Sequence, residues 1–470
     1  MRREAVNARP NATRLVQSQG LVYTKPADSP DPTDNYWPDD RYYSFTDKEI
    51  QLLDTAARDV FNMCCEAADY LVDHPGIITA NMGIPQFAVD QIVKSWDREP
   101  AWGSIYGRFD VCFGGLDHPD ERLRVPRFYE FNADTPTSLV EAASIQWLWL
   151  EQTGHGNDQF NSITEDLIKA WKRNLTLIDE KLGHHATVHF AVAEGDYIGE
   201  DTMNTTLLLD TCQQAGWKTK TMLVEEIGLG PDGRFYDAQD EHIDVIFKLY
   251  PWEFMMDQDF AKACFKDMEI IGRQNEAGNY TGGTIWIEAP YKMLWSNKAI
   301  FAILWDLFKE DPRSKWLLPT YFDHDELPAT FTKFARKPIF AREGADITLE
   351  ADGQIIQDMK TGEYGKEGYI LQELSLLPEF KNSAGVAHYP VIGLWFVDGE
   401  PAGMGIREDV TPITTNCSAF APHSISDVPV NYESQPIPDL DEIEASLRLD
   451  AYHEAAESKV VLDYIQSVVT

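Results

Sequence analysis

Apolar residues recur at helical spacing soon after the start of the chain. Ile50, Leu53, Ala56, Ala57 and Val60 fall three or four positions apart, which predicts an amphipathic helix. Thr46 and Glu49 stand ahead of it with the spacing of a capping box. A second helix is expected to begin near Pro85. Short apolar runs bounded by turn residues then predict strands at 104–113, 124–132, 187–193, 218–224 and 244–249. A helix over 201–215 falls among them, so the middle of the chain reads as an α/β layer. From about 285 the texture changes. A helix is predicted from Ser296, and 334–341 with 347–349, and 391–397 with 402–407, read as hairpins, the second turning at Asp398-Gly399.

This pattern divides the chain into an irregular, polar arm at 1–43, an α/β region at 44–284, a second mixed region at 285–430 and an acidic amphipathic helix at 431–470. The fold class is mixed α/β, or α+β. No run approaches the roughly 20 apolar residues of a membrane span, and no signal-peptide core is expected at the N-terminus. The 77 acidic against 40 basic residues leave a net charge of −37, which repels nucleic acid and anionic membranes and suits a cationic small molecule. Six cysteines without C-x-x-C or zinc spacing read as reduced, buried thiols in a cytoplasmic protein. Oligomeric state is left open.

One motif matches a nucleotide signature in the wrong context. Gly228-Leu-Gly230-Pro-Asp-Gly233 has G-x-G-x-x-G spacing, but Pro-Asp-Gly is a turn and strand-forming residues follow it. The stretch from Arg124 to Ser138 carries more information. Glu130 and Asn132 are two apart, so on a strand they share a face, and both offer the hard oxygens that Mg²⁺ prefers. Thr135, Thr137 and Ser138 add hydroxyls at the turn. Ser138 and Glu141 are spaced to cap a helix running to about 152. Arg108 and Asp110 repeat the two-apart arrangement, so if their strand neighbours that of Glu130, one face gains a guanidinium and three oxygen ligands. Downstream, Lys298 follows Ser296, a candidate cap. Lys337 lies on a strand leading to the turn Arg342-Glu-Gly344-Ala345, which is suited to folding over phosphates. The strand ending in Gln372-Glu373 has an edge able to hydrogen-bond a base.

Arg108-Phe-Asp110, Tyr129-Glu-Phe-Asn-Ala-Asp134, Lys298, Arg336-Lys-Pro338 and Arg407 together resemble the synthetase domain of the glutathionylspermidine synthase family, over roughly 40–430. The resemblance implies an ATP-grasp-like fold behind a pre-ATP-grasp substrate domain, and an ATP-dependent acid–amine ligase. It implies Mg²⁺ on Asp110, Glu130 and Asn132, with Arg108 stabilising the transferred phosphoryl group. Lys298, Lys337 and Gly344 would meet the ATP phosphates, with Gln372 and Glu373 near the adenine. Thr135, Thr137, Glu200 and Asp201 fall at the acid-substrate site, and Arg407 matches a loop arginine that closes on the reacting groups. Small-molecule carboxylate and amine substrates are implied, a glutathione-like peptide and a polyamine among them. Two departures are visible. Leu249 follows Lys248 where the family carries a threonine that helps bind glutathione, and the Cys/His amidase domain of bifunctional members is not expected here. Two other function classes fit parts of the pattern: a nucleotide-binding scaffold or regulator with ATPase activity but no ligation, and a hydrolase using Asp110 and Glu130 as a carboxylate pair.

Overall fold

The computed structural model describes residues 1–25, 35–97, 104–196, 198–415 and 417–441. The expected acidic helix at 431–470 lies outside them beyond residue 441. The helix Asp47–Asp73 starts at Thr46, whose side chain accepts from Glu49 N–H while the Glu49 carboxylate accepts from Thr46 N–H at 2.9 Å. All five residues that predicted it are buried.

Four parallel strands build the α/β layer in the order Ile285–Ile287, Val245–Lys248, Thr187–Val192 and Lys218–Leu223. The helices Ile163–Leu182 and Glu200–Gln214 accompany it. A second, antiparallel sheet runs Ala419–Ala421, Glu400–Asp409, Ala387–Val397, Tyr106–Cys112, Arg127–Asn132. A third runs Thr320–Phe322, Tyr369–Glu373, Lys333–Pro338, Thr348–Ala351, Gln354–Asp358. Both expected hairpins are present within these sheets. The boundary drawn at 284/285 does not separate them. Ile285–Ile287 joins the α/β layer, and Tyr106–Cys112 pairs with Ala387–Val397 from the far end of the chain.

Four expectations need correction. The described part of the 1–43 arm is not irregular. Arg2–Ala5 pairs with Arg41–Phe45, which pairs in parallel with His423–Ile425, and Ala12–Ser18 is helical. The partner that orders the arm lies far along the chain, so local polarity could not reveal it. Ser138 and Glu141 form no capping box. Ser138 takes a left-handed φ of 68°, Leu139 N–H goes to Asn204 Oδ1, and Glu141 accepts from Tyr36 instead. The helix is there, opening with a π-helical segment Glu141–Ile145 before Gln146–Thr153. Ser296 does not cap the helix Ala299–Phe308, because its Oγ accepts from Ala133 and Asp134 N–H, and Asn297 Oδ1 takes Ala299 N–H. Finally, Tyr369–Glu373 is an interior strand with neighbours on both sides, and Glu373 N–H is held by Pro319 O.

A buried ion pair fixes the start of Tyr106–Cys112. The Glu288 carboxylate accepts from Ile105 and Tyr106 N–H at 2.8 and 3.1 Å. Lys292 Nζ lies 3.1 Å from the same carboxylate and donates to Tyr106 O and Ala133 O. Lys292→Met would leave Glu288 buried without its cation. We expect a loss of about 3–5 kcal/mol in urea unfolding, and a loss under 1 kcal/mol would contradict this role.

Candidate active site

The strands Tyr106–Cys112 and Arg127–Asn132 are antiparallel neighbours, in a register that sets Asp110 opposite Glu130 and Arg108 opposite Asn132. The two-apart pairs therefore share one face, as their spacing required. Arg108 clamps Asp110 with two bonds of 2.8 and 3.2 Å and donates to Thr137 O at 2.6 Å. Asn132 Nδ2 donates to Glu130 at 3.2 Å and to Asp110 at 3.4 Å. Lys298 Nζ, at the head of its helix, lies 3.0 Å from the Glu130 carboxylate and donates to Ala341 O. Lys337 Nζ donates to the Gln372 side chain at 2.7 Å and lies 5.0 Å from the centre of the Tyr129 ring.

The charges of this group are mutually dependent. Burial alone would raise the Glu130 carboxyl, but Lys298 and Lys337 outweigh it and hold it down at about 2. Burial pushes the Lys337 ammonium down to about 8, against the pull of Glu130. Burial also raises the Asp110 carboxyl although Arg108 opposes it, whereas the Arg108 guanidinium is held above its ordinary value because Asp110 outweighs its burial. Among the described residues no three His, Cys, Asp or Glu side chains cluster as a metal site. A cation here would rest on Asp110, Glu130 and the Asn132 amide, whose oxygen reaches the same point when the amide is turned over. Three hard oxygens fit Mg²⁺, which takes few protein ligands and keeps the rest of its shell for water and phosphate.

All these residues line a single cavity of about 420 Å³, between the second and third sheets and the carboxyl ends of the parallel strands. Thr135, Thr137, Glu200, Asp201, Gly344, Gln372, Glu373 and Arg407 line it as well. The amide of Gln372 is engaged by Lys337 and by Tyr129 O. Thr135 Oγ1 lies 3.1 Å from Arg342, which is paired with Glu253 at 2.9 Å. At Asp201, burial followed by Asp196 and Glu200 raises the carboxyl to about 7. Gly344 has φ 74°, and a Cβ there would meet Thr414 O at 2.7 Å. The 342–345 turn thus packs directly on the loop that follows Arg407.

Sequence reading missed Tyr250 and Phe254, which line the cavity beside Leu249, and Glu253, which pairs with the cavity-lining Arg342. It also missed the buried pair of Asp134 and Lys248, 3.1 Å apart, although Asp134 closes the Glu-Phe-Asn-Ala-Asp motif and was the signal available.

The glutathionylspermidine synthase preATP-grasp family model matches residues 3–426. The chain belongs to the glutathionylspermidine synthase family. It is 34% identical over 398 residues to a Haemophilus influenzae protein named "Putative acid–amine ligase", covering 83% of this chain and 91% of that one. The bifunctional glutathionylspermidine synthetase/amidase of Escherichia coli is 27% identical over 397 residues, 81% of this chain and 58% of that protein. The trypanothione synthetase of Crithidia fasciculata is 27% identical over 346 residues, 72% of this chain and 49% of that protein. The chain thus aligns with about half the length of the last two. A solved glutathione synthetase-like effector from Globodera pallida superposes with a TM-score of 0.54 at 11% identity, over 90% of this chain and all of that one. The fold is of the ATP-grasp type, and the chain is an enzyme of the acid–amine ligase class. No described helix is long and apolar enough to cross a membrane, and all six cysteines are free thiols.

The lowered Lys337 has a consequence for pH. It is charged below about 8 and loses its proton as pH rises. In this synthase, kcat/KM for Mg·ATP, which reports the free enzyme, is therefore expected to fall about tenfold per unit above that point. Lys337→Arg should remove this limb, because a guanidinium stays protonated. A wild-type profile flat to pH 9.5 would contradict it.

Proposed function

We propose that this protein is an ATP- and Mg²⁺-dependent ligase that joins a substrate carboxylate, such as that of a glutathione-like peptide, to an amine, such as a polyamine, through an acyl phosphate. The observation that carries the proposal is the opposed Asp110–Glu130 pair lining one cavity with Arg108, Lys298 and Lys337. Magnesium held by Asp110, Glu130 and Asn132 would neutralise phosphate oxygens as a Lewis acid.

In the first step a carboxylate oxygen bonds to the γ-phosphorus of ATP, the bond to the β-phosphate oxygen breaks, and ADP leaves. Two anions meet there, so charge neutralisation dominates the barrier. Lys298 and Lys337 hold the phosphates. Arg108 keeps its proton throughout because Asp110 stabilises it, and its planar fork suits the equatorial oxygens of the transferred group. In the second step the amine nitrogen bonds to the acyl carbon and inorganic phosphate departs, the nitrogen giving up its proton. Asp201, raised to about 7, lines the cavity at the acid-substrate end and is suited to receive a proton near neutral pH. Water must be kept from the acyl phosphate. The contact between the 342–345 turn and Thr414 supplies a cover on that side.

Two substitutions test this reading through phosphate release from Mg·ATP with pooled acids and amines. Arg108→Ala is expected to lower turnover by about 10²–10³, the usual loss for one transition-state donor. Turnover within threefold of wild type would remove Arg108 from the role. Asp110→Asn combined with Glu130→Gln is expected to abolish the Mg²⁺ dependence, and an unchanged Mg²⁺ titration would exclude the metal site. Phosphate release that does not respond to any acid–amine pair would favour a nucleotide-binding protein without ligation.

A further inference from the structure

The ordered N-terminal arm reaches the site from behind. Tyr36 is 1% exposed, and its backbone oxygen accepts from Phe420 N–H at 2.8 Å. Phe420 is the register partner of Arg407, so the arm is aligned beside that arginine by main-chain bonding. The Arg407 guanidinium carbon stands 5.9 Å from the centre of the Tyr36 ring, within cation–π range. Its Nη2 donates to Thr415 O at 2.7 Å, at the end of the loop that meets Gly344. Tyr23 packs edge-on against the Tyr36 ring at 4.8 Å between centroids.

The Tyr36 phenol is fixed in turn. Its hydroxyl donates to Glu141 Oε1 at 2.6 Å and lies 3.1 Å from Ser138 Oγ. Glu141 is 1% exposed and sits in the π-helical segment, a feature that a plain α-helix would not need. Burial, only partly offset by the Tyr36 bond, raises its carboxyl to about 7. The turn that carries Ser138 and Glu141 also receives Arg108 through Thr137 O, and meets the helix of Glu200 and Asp201 through the bond from Leu139 to Asn204.

We propose that Tyr36 and Glu141 are positioning residues for Arg407: the ring supports the guanidinium, and the buried carboxyl and the Ser138 hydroxyl lock the ring, so that Arg407 and Arg108 are set from one turn. The inference rests on the ligase reading, with Arg407, which lines the cavity from the strand Glu400–Asp409 and not from a loop, acting on the reacting groups. A Tyr36 that served packing alone would act on stability and not through Arg407. The two roles separate in a double-mutant cycle.

The assay is phosphate release and amide formation from Mg·ATP with glutathione and spermidine as probes, in the full chain. Tyr36→Leu is expected to lower kcat about tenfold, with KM for Mg·ATP within twofold, and to raise the ratio of phosphate to amide from about one to three or more as acyl phosphate escapes to water. Tyr36→Phe, which keeps the ring but loses its lock, should recover only part of the loss, and Glu141→Gln, which keeps an acceptor for the hydroxyl, should stay within about threefold. In an Arg407→Ala background, Tyr36→Leu should add no further loss. Multiplicative losses in the cycle, or a loss confined to KM, would overturn the inference. Hydrogen exchange of the 407–415 stretch is a second readout that needs no acid substrate. Mg·ATP should slow it in wild type and in Tyr36→Phe but not in Tyr36→Leu. Equal slowing in all three overturns the inference, whereas a wild type that releases no phosphate with any acid overturns the ligase reading instead.

Discussion

Two carboxylates directly opposed across a pair of neighbouring strands repel one another, and the pairing of Tyr106–Cys112 with Arg127–Asn132 brings Asp110 and Glu130 into that position. The arrangement is tolerable because cations are built around it. Arg108 grips Asp110, while Lys298 and Lys337 keep Glu130 ionised. The carboxylates in turn hold Arg108 above its ordinary value and oppose the burial that lowers Lys337, so removing one member of the group changes the charge balance of the others. A nucleotide with its divalent ion would enter this balance as further anions and a further cation, which is why the group has to be assembled before the ligand arrives. The strand pairing is therefore the constraint on which the chemistry depends.

The surrounding architecture serves that constraint. Glu288 and Lys292 pin the beginning of the Arg108 strand and the end of the Glu130 strand to the helical side of the molecule. The Asp134–Lys248 pair, capped by Trp252 N–H, ties the last residue of the motif to the parallel sheet. The third sheet brings Lys337 from the opposite wall on an interior strand, which is stiffer than an edge. The turn at 342–345 and the loop after Arg407 meet at Gly344.

In the proposed reading, the substrate end of the cavity differs in character from the phosphate end. Glu200 and Asp201 line it there with Leu249, Tyr250, Phe254 and Arg342, and Glu253 pairs with Arg342. An acidic and partly apolar wall selects for positive and apolar features in what it receives. The net charge of −37 extends that preference over the surface, while the cations needed for an anionic nucleotide are concentrated inside the cavity where the dielectric is lower and each is worth more.

Chain order alone carried much of the local structure. The capping box at Thr46 and Glu49, the apolar spacing behind it, both hairpins and the turn character of Pro231-Asp-Gly233 depend on neighbours in sequence, and the same is true of the shared faces of Arg108 with Asp110 and of Glu130 with Asn132. The motif also pointed to the family and hence to the reaction class. Contacts between distant segments were decided elsewhere. Glu141 was spaced as a cap partner for Ser138 yet bonds Tyr36; Ser296 serves the backbone of Ala133 and Asp134 in place of its own helix; and the strands Arg2–Ala5 and Arg41–Phe45 form because His423–Ile425 offers them an edge. Hydrogen-bonding capacity is a property of the residue, but the choice among competing partners is settled by which of them packing brings within reach and withdraws from water, and only the assembled tertiary structure makes that choice.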